Sequence, residues 1–292
     1  MNFSSTHCTL CPRACGANRI AGAGACGAAW EMRVAKVMLH FFEEPPISGT
    51  RGSGAIFFAG CSLRCGYCQN APVSQGEIAG KAYTPHALAQ EALRLQEEGA
   101  HNINLVTAGH FLPRVIEFLQ EVKPQLKIPV VYNSSGYERA EAIAMLEGLV
   151  DIYLPDYKYI DPAAAARYSG AADYPQAAEA AIAEMVRQTG AYREKDGLAV
   201  RGTIIRHLVL PSFSRDGARI MRVISQKFPD ARVSIMRQYT PSFNRTGDSA
   251  LDRRITTLEY NRVVNAAVSG GLQGFTQERD CADEKYTPLW EE

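Results

Sequence analysis

Seven of the eight cysteines fall into two groups, and their spacing is the strongest chemical signal in the chain. Cys61, Cys65 and Cys68 lie in the run Gly60-Cys61-Ser62-Leu63-Arg64-Cys65-Gly66-Tyr67-Cys68-Gln69-Asn70, a C-x3-C-x2-C pattern. Three thiolates this close can wrap one loop around a single inorganic cluster, yet they supply only three of the four ligands a cubane needs. The fourth iron is then open to chelation by a small molecule. Zinc wants four protein ligands, or three and a water, and Gln69 and Asn70 are poor fourth ligands. The pattern therefore favours a [4Fe-4S] cluster.

Cys8, Cys11, Cys15 and Cys26 make the earlier group, C-x2-C-x3-C-x10-C, laced with glycine. Four soft ligands suffice to close a tetrahedral zinc or a whole iron-sulfur cluster, and the spacing does not separate the two. A structural role is the default for such a site, with electron transfer as the sharper alternative. Cys281 stands alone and reads as a free thiol without a catalytic role.

The rest of the composition narrows the setting. Thirty-one basic residues balance 31 acidic ones, which gives no support for nucleic-acid binding. The amino terminus lacks a basic start followed by an apolar run, and no apolar stretch approaches a membrane span. A soluble cytoplasmic protein is expected, in which cysteines serve metals more often than disulfides.

The pattern along the chain says what positions these residues. Residues 1–50 read as a cysteine-rich segment followed by a Pro- and Gly-punctuated loop, and residues 51–292 as one α/β domain. Buried strands are expected at Ala55–Ala59, Ile103–Thr107, Ile128–Asn133, Val150–Pro155, Thr203–Leu210 and Arg232–Met236. Helices are expected between them, one opening at Thr84-Pro85, where Thr is a natural N-cap and Pro suits the first turn. Others run from about Glu138 to Leu146 and over Ala218–Lys227. Six βα units in succession argue for a parallel sheet, open or curled, with the chemistry at the carboxyl ends of its strands.

The C-x3-C-x-aromatic-C loop after a first strand resembles the signature of the radical S-adenosylmethionine (SAM) superfamily. More narrowly, Phe57-Phe58-Ala59-Gly60-Cys61, Cys11-Pro12-Arg13-Ala14-Cys15-Gly16, Ser48-Gly49-Thr50-Arg51-Gly52-Ser53-Gly54, Tyr153-Leu154-Pro155-Asp156-Tyr157-Lys158-Tyr159 and Arg206-His207-Leu208-Val209-Leu210-Pro211 are similar to pyruvate formate-lyase activating proteins of a branch with no assigned substrate. The resemblance spans nearly the whole chain. It implies a partial (β/α)6 TIM-like barrel, a [4Fe-4S] cluster with SAM on its open iron, and reductive cleavage to a 5′-deoxyadenosyl radical that abstracts hydrogen. A low-potential donor of flavodoxin or ferredoxin type, under anaerobic conditions, is implied with it.

The same resemblance carries residues over to the cofactor. Thr107, Gly109 and His110 match a turn that meets the methionine amino group, although the family's acidic residue is missing here. Asp156 and Lys158 match a pair near the cofactor, and Arg206 stands where activases place a carboxylate-binding Arg. Asn133 and Ser134 would meet the ribose, Tyr67 the adenine, and Gln238 the same mouth. Three functions compete: hydrogen abstraction from a protein or peptide, as glycyl-radical activases perform; the same chemistry on a small molecule; and a non-catalytic metal-binding or electron-transfer module.

Overall fold

The structure is a computed structural model that describes residues 4–282, 288 and 290. Strand β1 (Arg33–His40) leads by way of the one-turn helix α1 (Pro45–Ser48) into β2 (Ser53–Phe58). Then come the one-turn helix α2 (Ala71–Ser74), the short strand β3 (Lys81–Ala82) and helix α3 (Pro85–Glu97). Thr84 caps α3 as expected, its hydroxyl accepting from the Ala87 amide at 3.1 Å. Strand β4 (Ile103–Val106), helix α4 (Leu112–Val122), β5 (Val130–Ser134), α5 (Ala140–Ala144) and β6 (Ile152–Pro155) continue the alternation. Helices α6 (Pro162–Ser169) and α7 (Tyr174–Thr189) precede β7 (Arg193–Lys195) and the long β8 (Leu198–Leu208). The described chain closes with α8 (Ser214–Lys227), β9 (Arg232–Met236), α9 (Thr257–Ser269) and β10 (Gly274–Thr276).

The strands run in the order β10-β9-β8-β6-β5-β4-β2-β1-β3 without meeting end to end. Along this order every pair from β2 to β10 is parallel, while β1 lies antiparallel on β2 and carries β3 on its far side, and β7 lies off the order, antiparallel to β8. The sheet is thus mostly parallel, with helices on one face, consistent with a partial barrel. Strand β1 falls within the cysteine-rich segment of residues 1–50, yet it pairs with β2 over almost its full length.

Period-two alternation sorts the side chains. Ile56, Ile103, Leu105, Val130 and Tyr132 face outward and pack with Leu88, Leu95, Val115 and Leu119 of α3 and α4. Ile205, Val233 and Ile235 do the same against Ile182, Ile220, Ile224 and Val263. The inward set is Phe57, Val106, Asn133, Arg206, Ser234 and Met236, and these residues line a cavity. Its floor is plugged by Ile47 of α1, packed on Val131, Ile152, Leu154 and Ile204.

Three of the differences from the sequence reading involve helices. Residues 43–54, expected as loop, include α1 and deliver Glu43 and Glu44 to the cavity. Helix α5 starts at Ala140 rather than near Glu138, because Gly136 turns the chain with φ +77° and the Glu138 side chain folds back into the core. Helix α6 was not expected. Its alanine run is a good helix former, capped by Asp161 and ended by Gly170 in the left-handed region. No described helix is long and apolar enough to cross a membrane.

Candidate active site

The second cysteine loop begins where β2 ends. Gly60 turns the chain with φ +86°, and a Cβ there would lie 2.7 Å from the Cys26 carbonyl oxygen, so glycine is required. Cys61, Cys65 and Cys68 then line the same cavity, of about 400 Å³. The Cys61 sulfur faces the Leu63 amide at 3.4 Å, and the Ser169 hydroxyl donates to the Cys65 sulfur at 3.1 Å. Burial pushes the Cys61 thiol up to about 12, and the neighbouring Cys65 and Cys68 push the same way. Thiolates crowded in a dry pocket need a cation among them, which is what a metal group supplies. Among the described residues no three Cys, His, Asp or Glu groups converge on the point a single ion would occupy. A polynuclear group sets its irons at separate corners and so can take three thiolates of one loop without their converging on one ion.

A chain of buried charges leads away from this loop. Lys158 donates to Asp156 at 2.6 Å, and Arg206 reaches the other oxygen of Asp156 at 3.2 Å. The Arg206 guanidinium also donates to Glu43 at 3.1 Å and to the Asn133 side-chain oxygen at 2.5 Å. Glu43 accepts further from the side-chain amides of Asn104 at 3.0 Å and Asn133 at 3.1 Å. Burial works against every ion here, but the partners prevail. Asp156 is held below the ordinary carboxylate range by Lys158 and Arg206, while Asp156 holds Lys158 and Arg206 above theirs. Glu44 is the exception: burial raises its pKa, Arg206 offsets this in part, and Glu43 adds to the rise.

Eight of the ten residues expected at the cofactor line this cavity: Tyr67, Thr107, Asn133, Ser134, Asp156, Lys158, Arg206 and Gln238. Tyr67 packs edge-on against Tyr159, Tyr168 and Tyr239 at 6.2–6.3 Å. Gln238 bridges the cysteine loop to β10, donating to Gln69 at 3.3 Å and accepting from Gln277 at 2.8 Å. Gly109 and His110 are outside the cavity lining. Thr107 takes φ +60°, the chain enters a short 3-10 turn, and the His110 ring meets the Ala59 carbonyl at 2.7 Å behind the sheet. The carboxyl group beside Gly109 comes instead from Glu138, which accepts from Tyr132 and Ser134. Arg206 meets two carboxylates, but both belong to the chain itself. Sequence reasoning missed His40, Glu43, Glu44, Phe57, Ser74 and Ser234 in the cavity wall; the adjacent acids before Pro45-Pro46 were the only available signal.

The first cysteine group docks directly on the second. The Cys61 amide donates to the Cys26 carbonyl at 3.0 Å. Arg13 donates to the carbonyls of Ser62 at 2.7 Å, Leu63 at 3.1 Å, Ser169 at 2.7 Å and Gly170 at 2.8 Å. Buried Arg19 binds the carbonyls of Ala28, Ala29 and His110. Cys8 and Cys26 are buried and Cys15 is exposed. The sulfurs of Cys15 and Cys26 lie 3.3 and 3.8 Å from where a Gly24 Cβ would stand. The Cys281 sulfur contacts the Gln277 side-chain oxygen at 3.6 Å.

Comparison with known proteins agrees with this geometry. An uncharacterized protein of Methanocaldococcus jannaschii is 28% identical over 269 residues, covering 89% of this chain and 74% of its own length. Among solved structures, Streptococcus suis SuiB bound to the precursor peptide SuiA matches with a TM-score of 0.52 at 12% identity, over 76% of this chain and 47% of that one. This chain thus spans about half the length of that protein. A radical SAM methyltransferase from Sphaerobacter thermophilus matches with a TM-score of 0.52 at 12% identity, over 77% of this chain and 66% of the other. At such identities the likeness is one of fold. Residues 55–190, which hold the C-x3-C-x2-C loop, Asp156, Lys158, Tyr159 and Tyr168, match the family model of the radical SAM superfamily.

Proposed function

We propose that this chain cleaves SAM reductively at a [4Fe-4S] cluster held by Cys61, Cys65 and Cys68, and that it belongs with the activases of glycyl-radical enzymes. The carrying observation is that the three thiols share a single cavity with the Lys158-Asp156-Arg206 charge chain, at the carboxyl ends of parallel strands. When bound, the cluster and SAM supply one-electron cleavage of a sulfonium and, from it, hydrogen-atom abstraction. The residues of the chain do the positioning. Leu63 and Ser169 direct hydrogen bonds to two of the sulfurs, and Lys158 places a positive charge near Cys65. The Tyr67, Tyr159, Tyr168 and Tyr239 rings keep water from the loop.

The fold neighbour solved with a precursor peptide favours a protein or peptide substrate, with a small molecule as the second reading. Cys8, Cys11, Cys15 and Cys26 form a second ligand set, for zinc or iron-sulfur, and a flavodoxin- or ferredoxin-type donor in the cytoplasm supplies the electron. The test is anaerobic reconstitution with iron and sulfide, followed by dithionite and SAM. Formation of 5′-deoxyadenosine, and its loss in Cys65→Ala, is the expected result. A loaded cluster that yields none would leave a non-catalytic metal protein. Zinc and iron counts in a Cys8→Ser/Cys11→Ser variant identify the second metal.

A further inference from the structure

The cavity has a second end, and its chemistry differs from that at the cysteine loop. Because β1 runs antiparallel to β2, its last residue, His40, pairs with Ser53, the first residue of β2. The six residues of β2 separate that pairing from the cysteine loop by roughly 17 Å of strand. Glu43 and Glu44 follow His40 after Phe41 and Phe42 and form the polar layer above Ile47.

A carboxylate oxygen at this end lacks a donor. The guanidinium of Arg206 already has partners in Asp156, Glu43 and Asn133. Glu44 is only 8% exposed and takes a hydrogen bond from Ser234, but its Oε2 has no partner. A buried carboxylate oxygen left so is destabilised until a donor arrives. The wall between this end and the cysteine loop is aromatic. Phe57 meets His40 at 5.8 Å and Trp290 at 5.3 Å, both edge-to-face, and His40 meets Phe42 at 5.6 Å. Aromatic rings in one cavity with an acid suit a cation.

We propose that this end of the cavity binds a protonated amine carried by the substrate, with Glu44 accepting its N–H and the rings of Phe57 and Trp290 enclosing its alkyl stem. This rests on the reading of the cavity as the place of hydrogen abstraction and adds a substrate class to it: a molecule or side chain ending in an ammonium with at least one N–H. A quaternary ammonium would satisfy the rings but leave the carboxylate oxygen without a donor.

The test is calorimetric titration of the reconstituted protein at pH 7.5 with n-butylamine, n-butanol and tetramethylammonium. Butylamine should bind at least tenfold more tightly than the other two, and Glu44→Gln should weaken it about tenfold at unchanged iron content. Should Glu44→Gln fail to fold, Ser234→Ala serves, with about threefold weakening expected. Equal affinity for butanol, an amine affinity unmoved by either variant, or displacement of bound butylamine by SAM would each overturn the proposal, the last by giving Glu44 to the cofactor. Failure to form 5′-deoxyadenosine would count against the radical reading alone, since these titrations involve no turnover.

Discussion

Arg206 offers the sharpest test of how the site is held. Its side chain is 13% exposed and its guanidinium binds Asp156, Glu43 and Asn133. Arg206→Met keeps much of the volume but strands two carboxylates. Asp156 retains Lys158 at 2.6 Å, so the heavier loss falls on Glu43, left with the amides of Asn104 and Asn133. Removing one partner of a buried pair costs about 3–5 kcal/mol, whereas removing both can be nearly neutral. The single variant should therefore lose that amount, and Arg206→Met/Glu43→Gln should recover more than half of it. Anaerobic urea unfolding of these two variants, of Glu43→Gln and of the parent closes the cycle. A single-variant loss below about 1 kcal/mol, or a double variant no better than the single, would refute the claim that internal carboxylates hold this guanidinium.

Three further outcomes are expected. Burial lowers the pKa of both His110 and His207 to about 4, against an ordinary value near 6.5. Both are neutral in either state above pH 7.5; as pH falls below 6.5 the unfolded chain takes up protons that the native one refuses, so stability falls until about pH 4. Between pH 7.5 and 5 each histidine should cost about 2 kcal/mol, and His110→Gln should remove its share of the slope in urea midpoints. Arg13→Ala deletes four hydrogen bonds to carbonyls around the cysteine loop and should cost about 2–4 kcal/mol, with faster iron loss to a chelator as the second readout. Gly60→Ala adds a strained positive φ and a 2.7 Å contact with the Cys26 carbonyl, so it should lower iron retention while leaving far-ultraviolet circular dichroism unchanged.

Much of the fold was legible because parallel strands buried on both faces read as apolar runs, as at Ile103–Val106 and Ile152–Pro155. Strand β1 escaped notice: it is half-buried, with Lys36 amid Val34, Val37 and Met38, and neither period stands out. At the site, residues directly after strand ends could be placed, since strand direction aims them at the cavity. His110 could not, because its side chain is turned by a φ of +60° three residues earlier, at Thr107, which no composition signal announces. Glu43 and Glu44 looked like solvated loop acids. Their burial depends on Arg206, 163 and 162 positions away in sequence, and single-chain patterns carry no such pairing.

The brace made by Arg13 has a bearing on assembly. Two of its four acceptors, at residues 169 and 170, are synthesised after four of the parallel strands' worth of chain has left the ribosome. Until then the thiols at 61, 65 and 68 sit in a loop whose clamp is half shut. A chain folded as far as Gly170 therefore holds the metal loop from its outer side, while the thiols still face the cavity.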